Sequence, residues 1–378
     1  MTTGFKRFRQ FFCRSPRLRV WLGLAALSAS ASLHATPVRA LSFNLNPSFD
    51  TTTTEGTAVL AGFQAAAGLW SGLFTDNVTV NLDIGFQALE DGVLGDALSN
   101  TLESDYVDIF NALGGDALSA DDALAVAHLQ TDPFLDFLMT DPFTGTTVRD
   151  NDGSTNNAVL AVNRANAKAL GLLDANDAGV DAEISLNSNF SFDFDRSNGI
   201  GAGLFDFIGV AAHEIGHALG FSSGVDEIDC WSNVLACFQD EPDIPDTEPH
   251  DPYPTFNVLD LFRYSTESNA LGILDLAAGS DAYFSLDGGT TNLGDFSTGE
   301  FNGDGYQASH WKDNLGLGLM DPTLSLGEFG DITALDIRAF DAIGWDRPQQ
   351  KVPEPATALA LLGVGFLAAR TLCHRETA

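Results

Sequence analysis

The spacing of apolar and polar residues predicts that the body of the chain opens with a strand, a helix and a second strand. Residues 41–45 and 78–84 alternate apolar with polar side chains, as half-buried strands do. Between them, residues 58–74 repeat apolar side chains at the spacing of an amphipathic helix. This order predicts an α+β fold in which helices pack against a mixed sheet.

Later segments extend the same pattern. Residues 106–113 and 120–129 predict helices, residues 182–188 predict a strand, and residues 332–343 predict a closing helix. The strand shortly precedes an apolar helix that we expect to begin near Leu204. A strand at this place could form a sheet edge that pairs with an extended peptide, and an ordinary sheet strand fits the sequence equally well.

The two ends of the chain differ from the body in composition. Residues 1–40 begin with a basic stretch, continue with an apolar run and end in a small-residue cleavage site, which predicts a secretory signal peptide. Residues 349–378 contain Pro-Glu-Pro at positions 353–355, then an apolar run and terminal basic residues. This predicts a sorting segment with a short hydrophobic helix. The helix is short for a permanent membrane span, so we expect a transient membrane contact.

The charge of the chain limits its partners. The net charge is −34 at pH 7, and seven of the 18 basic residues lie before residue 41. So acidic a body repels nucleic acid and anionic membranes. Clustered carboxylates could also bind Ca²⁺, for instance in the loops 150–153 and 174–177. Neither loop has a complete calcium-binding pattern, so ordinary turns are the preferred interpretation.

An irregular segment with two cysteines follows the apolar helix. Residues 222–256 are rich in Asp, Glu and Pro and show no sustained periodicity. They include Cys230 and Cys237, the two cysteines of the body. In an exported chain this close spacing predicts a short local disulfide, and a pair of free thiols is the alternative.

The apolar helix contains the clearest chemical pattern of the chain, His213-Glu214-x-x-His217. Residues four apart lie on the same helix face, so both imidazoles can bind one metal ion. Glu214 follows the first histidine directly, which places its carboxylate where a general base must act. The pattern predicts a zinc hydrolase. The alternative is a buried helix whose histidines are hydrogen-bonded core residues.

A catalytic zinc site normally has three protein ligands, and the residues leave the third one open. Position 223, where a compact HExxHxxGxxH pattern would have a histidine, is Ser223. His128 lacks supporting context, and His250 lies in a proline-rich loop. Asp226 is close in sequence, whereas His310 stands in a Ser-His-Trp segment shortly before a Met-Asp-Pro sequence.

The HExxH helix and residues 309–322 together resemble the leishmanolysin-type branch of the metzincin zinc endopeptidases. In that branch a long insertion separates the third histidine from the helix, and a methionine turn follows beneath the metal. The resemblance implies that His310 is the third ligand and that Met320 is the turn methionine. It also implies a metalloprotease domain over residues 41–348, composed of an upper part, an insertion and a closing part at 41–221, 222–308 and 309–348.

The C-terminal segment resembles the PEP-CTERM sorting signal of Gram-negative bacteria. There, an exosortase-type enzyme is thought to process the Pro-Glu-Pro site during export. This resemblance implies such an enzyme as a partner. It also implies a final location at the outer surface or in the extracellular matrix, after transit through the inner membrane.

Together these patterns predict an exported zinc-dependent endopeptidase that acts on protein or peptide substrates. One zinc ion on the three histidines would activate a water molecule, and Glu214 would be the general base. One alternative is a catalytically silent surface or matrix binding protein on a protease-like fold. Another is a zinc hydrolase of a different clan, with Glu328 or Asp226 as the third ligand.

Overall fold

The computed structural model describes residues 41–141, 144–231 and 254–348. The predicted signal peptide, Cys237, His250 and the predicted sorting segment lie outside these residues. Among the described residues, no helix is both long enough and apolar enough to span a membrane.

The first part of the body alternates short strands and helices, as the apolar spacing predicts. A 3-10 turn also occurs at Arg196–Asn198. In chain order the strands and helices are β1 (Ser42–Pro47), α1 (Thr54–Ser71), β2 (Thr79–Gln87), β3 (Gly95–Ser99), β4 (Thr101–Asp105), α2 (Tyr106–Asp116), α3 (Ala120–His128), β5 (Phe137–Thr140), β6 (Thr147–Asp150), α4 (Thr155–Ala158), β7 (Val159–Asn163), α5 (Arg164–Ala169), β8 (Ala182–Asn187), β9 (Phe192–Asp193), β10 (Phe205–Asp206) and α6 (Phe207–Ala218).

The main sheet has four strands in the order β1-β2-β8-β3. The strands β1, β2 and β8 are parallel, and β3 pairs with β8 in the antiparallel direction, with Gly95 opposite Leu186. The predicted strand 182–188 is therefore an interior strand, and the suggestion that it forms the edge is wrong. The edge on that side is β3, which the apolar spacing did not predict.

Two helices pack together beside this sheet and position the HExxH motif. Helix α1 begins after Thr53, whose hydroxyl accepts a hydrogen bond from the Gly56 amide, as an N-cap does. Along α1, the indole Nε1 of Trp70 donates to the carbonyl of Ala212 in α6, at 2.9 Å. Helix α6 begins at Phe207, a few residues later than predicted, because β10 occupies the preceding positions.

The remaining elements include a helix in the stretch that was predicted to be irregular. A 3-10 helix also occupies Val258–Phe262. In chain order the elements are α7 (Val225–Trp231), β11 (Arg263–Tyr264), α8 (Thr266–Leu271), β12 (Leu274–Leu276), β13 (Tyr283–Phe284), β14 (Gly294–Asp295) and α9 (Ala334–Ala342).

The described parts of the segment 222–308, residues 222–231 and 254–308, pack into the body through both a strand and the core. Strand β12 pairs in parallel with β5, with Leu274 opposite Phe137. Most of the buried apolar side chains form one cluster that extends along the chain from Leu41 to Trp345. The mixed sheets and surrounding helices confirm the predicted α+β class.

Candidate metal centre

Three histidines converge on one point, where α6 meets the segment that follows β14. The Nε2 atom of His213 lies 3.0 Å from that of His217, and each lies 3.2 Å from Nε2 of His310. Among the described residues, they are the group of three His, Cys, Asp or Glu side chains that could hold a metal ion. The tertiary structure thus adds to the HExxH pair the histidine that the family resemblance indicated.

Each imidazole is oriented by a backbone carbonyl at its other nitrogen. The Nδ1 atoms of His213, His217 and His310 lie 2.8, 2.7 and 3.2 Å from the carbonyl oxygens of Leu319, Phe221 and Gln307. A carbonyl only accepts hydrogen bonds, so each Nδ1 carries the proton and each Nε2 presents a lone pair. Such partners fix the ring orientation of metal-binding histidines.

The spacing of the three nitrogens fits one tetrahedral zinc ion. With Zn–N bonds of about 2.0–2.1 Å, two ligand nitrogens of a tetrahedral site are about 3.3 Å apart. Three lone pairs directed at one another repel unless a cation lies between them. Burial and the neighbouring imidazoles lower the pKa of His217 to about 3 and that of His310 well below its usual value, so both rings are neutral, as ligands must be.

Glu214 lies beside this centre in a confined position. Its side chain is only 6% exposed, and its Oε1 atom lies 2.5 Å from the position that a Cβ on Gly95 would occupy. Burial, with a smaller contribution from Asp96, raises the pKa of Glu214 to about 8. A cation on the three histidines would oppose this shift and favour the carboxylate.

Met320, for which the resemblance predicts the methionine turn, is fully buried against α6. A Cβ on Gly216 would lie 2.5 Å from its sulfur, so the sulfur packs against the helix turn between the two histidines. Asp336 holds this turn, because its carboxylate accepts hydrogen bonds from the Leu319 amide and from the Trp311 indole, both at 2.8 Å. Asp336 stands in no motif, and sequence reasoning missed it.

The other candidate ligands among the described residues do not belong to the group formed by the three histidines. Asp226 accepts hydrogen bonds from the backbone of residues 308 and 309. Glu328 is exposed and accepts one from the Ser325 amide at 2.9 Å. His128 is also exposed, and its Nδ1 lies 2.8 Å from the Leu124 carbonyl oxygen of its own helix.

A cleft of about 1080 Å³ opens over the metal centre. Strand β3 forms one side of it and residues of α6 line it. Residues of the segment 314–333, among them Leu324 and Phe329, also line the cleft. An open cleft with buried titratable groups at its base is typical of a site that binds an extended ligand.

The cysteine and calcium predictions remain open. Cys230 is disulfide-bonded, while its predicted partner Cys237 lies outside the described residues. In the two acidic loops the carboxylates accept hydrogen bonds within the chain. Asp150 accepts one from the side-chain Nδ2 of Asn156 at 3.0 Å, and Asp174 accepts one from the backbone amide of Asn176 at 2.9 Å. Ca²⁺ binding stays an untested prediction.

Comparison with known proteins identifies the C-terminal segment alone. A family model described as the PEP-CTERM protein-sorting motif matches residues 351–375. No curated protein and no solved structure gives a significant match to the chain. The motif indicates export and sorting to the surface or the extracellular space of a Gram-negative bacterium, with recognition by an exosortase-type enzyme.

Proposed function

We propose that this protein is an exported, zinc-dependent endopeptidase with a metzincin-like domain of the leishmanolysin type. The observation that carries the proposal is the convergence of three imidazole Nε2 atoms, 3.0–3.2 Å apart, beside a buried glutamate. A site with four closed ligands would suit structural zinc, whereas three ligands at the base of a cleft leave room for a substrate.

The three histidines, Glu214 and Met320 would have different roles in peptide hydrolysis. Zinc on the three histidines would supply Lewis acidity, which lowers the pKa of water and polarises the scissile carbonyl. Glu214 would accept the proton of the attacking water and pass it to the leaving amine. Met320 packs under the helix turn that bears the ligands and is a structural residue.

An extended peptide in the cleft could form backbone hydrogen bonds with the free edge of strand β3. Strand β3 uses one edge for its ladder with β8, and its residues 95–97 and 99 line the cleft. An extended substrate that lies along the open edge would add a strand to the sheet, with its scissile bond held near Glu214. This arrangement favours unfolded or flexible protein segments as substrates.

The test compares the purified full-length protein with its Glu214→Gln variant, at matched zinc content, on an unfolded protein substrate. The variant keeps the shape of the side chain but cannot accept the proton, so its turnover should fall by about 10²–10⁴-fold. Chelation should abolish cleavage, and added zinc should restore it. Cleavage that survives metal removal, or that is equally fast in Glu214→Gln, contradicts the proposal. Zinc binding without cleavage by either protein favours the silent binding protein.

A further inference from the structure

His310 cannot be placed by the helix that carries the other two histidines. It lies 93 residues after His217 in sequence, yet the two Nε2 atoms are 3.2 Å apart. Tertiary contacts must therefore hold the segment of residues 307–311, which we call the His310 segment. The precision of a three-ligand site depends on these contacts, because each ligand must reach the same ion.

Asp226 makes the densest set of these contacts. Its Oδ1 accepts a hydrogen bond from the Ala308 amide, and its Oδ2 accepts one from the Ser309 amide at 3.2 Å and one from the Ser309 hydroxyl. One carboxylate thus binds the two residues directly before His310. Hydrogen bonds to a charged acceptor are stronger than those between neutral groups.

The same contact ties the His310 segment to the end of the HExxH helix. The hydroxyl of Ser309 also accepts a hydrogen bond from the amide of Ser223, at 2.8 Å. Two residues earlier, the carbonyl of Phe221 accepts the bond that orients His217. The short stretch 221–226 therefore contacts one metal-site histidine and the backbone that presents another.

We propose that Asp226 is a positioning residue of the metal centre, which sets zinc affinity by fixing the backbone that presents His310. The inference rests on the proposed zinc site. In place of a third ligand shortly after the helix, this chain has Ser223 and Asp226, which hold the distant ligand by hydrogen bonds. Asp226 does not touch the metal, and it acts through residues 308 and 309.

The His310 segment has other supports, so the loss of Asp226 should loosen it without unfolding it. The amide of Ser297 donates to the His310 carbonyl at 3.0 Å, and the Trp311 indole is held by Asp336. In Asp226→Asn one acceptor oxygen becomes an NH₂ group, which cannot accept the bonds from this segment. Loss of an outer partner of a metal ligand typically weakens metal binding by about 10–100-fold.

The experiment measures zinc affinity by competition with a chelator, and the visible spectrum of the cobalt(II)-substituted full-length protein. Asp226→Asn should bind zinc about 10–100-fold more weakly and should show an altered cobalt spectrum, because the ligand geometry changes. The matched control is Asp229→Asn on the same helix. Asp229 accepts bonds from the amides of Phe301 and Asn302 at 2.8 and 2.9 Å, so it holds a different turn.

The control variant should lose stability but keep the wild-type zinc affinity and spectrum. Wild-type values for Asp226→Asn, or an equal loss in Asp229→Asn, overturn the inference. If Asp226→Asn does not fold, Ser309→Ala decides by the same two measurements, since it removes only the hydroxyl. A wild-type protein that binds no zinc overturns both proposals, whereas one that binds zinc without cleaving peptides overturns the proposed function alone.

Discussion

A glycine packs against the side chain of the proposed general base, and this makes a sharp test of the site. Gly95 lies on the edge strand β3, and the Cβ of an alanine there would stand 2.5 Å from Oε1 and 2.9 Å from Cγ of Glu214. The φ angle of Gly95 is not in the positive range, so the backbone accepts alanine without strain. The three atoms nearest to the added Cβ all belong to Glu214, so Gly95→Ala acts chiefly through the Glu214 side chain.

The size of the displacement follows from the distance. Ordinary contacts of a Cβ begin at 3.4 Å, so Oε1 of Glu214 must retreat by about 0.9 Å. The displaced atoms include Cγ of a buried side chain, so the free energy of unfolding should fall by about 1–3 kcal/mol, as in other overpacked sites. A misplacement of about 1 Å in a catalytic group can lower the rate by about 10²-fold.

The assay is the turnover of an unfolded protein substrate by zinc-loaded Gly95→Ala, with zinc content and thermal unfolding measured on the same sample. The control is Gly68→Ala on α1, where a Cβ meets no atom within 4 Å. This control should keep full activity and gain about 0.5–1 kcal/mol, as alanine does over glycine in a helix. Undiminished turnover by Gly95→Ala would refute the assignment of Glu214 as the positioned base.

Three further predictions concern stability. Burial and neighbouring carboxylates raise the pKa of Asp116 from 3.8 to about 8, so the folded protein holds more protons than the unfolded chain between these values. The free energy of unfolding should therefore fall as the pH rises through this window. In Asp116→Asn the urea concentration at the unfolding midpoint should depend less steeply on pH than in the wild type. An equally steep dependence in the variant contradicts this prediction. Lys168 and Asp181 form a fully buried ion pair at 2.6 Å. Lys168→Met leaves the Asp181 carboxylate without this partner, so the free energy of unfolding, measured by chemical denaturation, should fall by about 3–5 kcal/mol. A fall of less than about 1 kcal/mol would show that Asp181 is neutral or otherwise paired. In Gly216→Ala the new Cβ would lie 2.5 Å from the sulfur of Met320, so the free energy of unfolding should fall by about 1–3 kcal/mol and zinc binding should weaken. Calorimetry with and without zinc measures both effects. A melting temperature equal to that of the wild type contradicts the packing argument.

The elements that the sequence predicted are those with large apolar side chains at a clear period. The predicted strands at 41–45 and 78–84 and the helix at 58–74 all occur, with ends shifted by a few residues. Strand β3 escaped prediction because its sequence is Gly-Asp-Ala-Leu-Ser, without a β-branched residue and with one large apolar side chain. Gly95 has to be small because Glu214 fills the space beside it, so the position next to the site lacks the usual strand signal.

The sequence by itself determined the local half of the candidate metal centre. His213, Glu214 and His217 are adjacent or one helical turn apart, and helix geometry alone brings both imidazoles to one face. The motif also made a metal the first hypothesis. The C-terminal sorting segment was readable in the same way, because its signal consists of neighbouring residues.

Only the tertiary structure decided which distant residues complete the centre. The residues alone left the third ligand open, and the family resemblance favoured His310. Its position depends on the Asp226 carboxylate, which accepts hydrogen bonds from residues 308 and 309, and on the Ser297 amide, which donates to the His310 carbonyl. Asp226 and Ser297 are 84 and 13 residues away from His310 in sequence, and Asp336 holds the neighbouring turn. Such contacts leave no periodic trace in a sequence, because they join single residues whose separation along the chain is arbitrary.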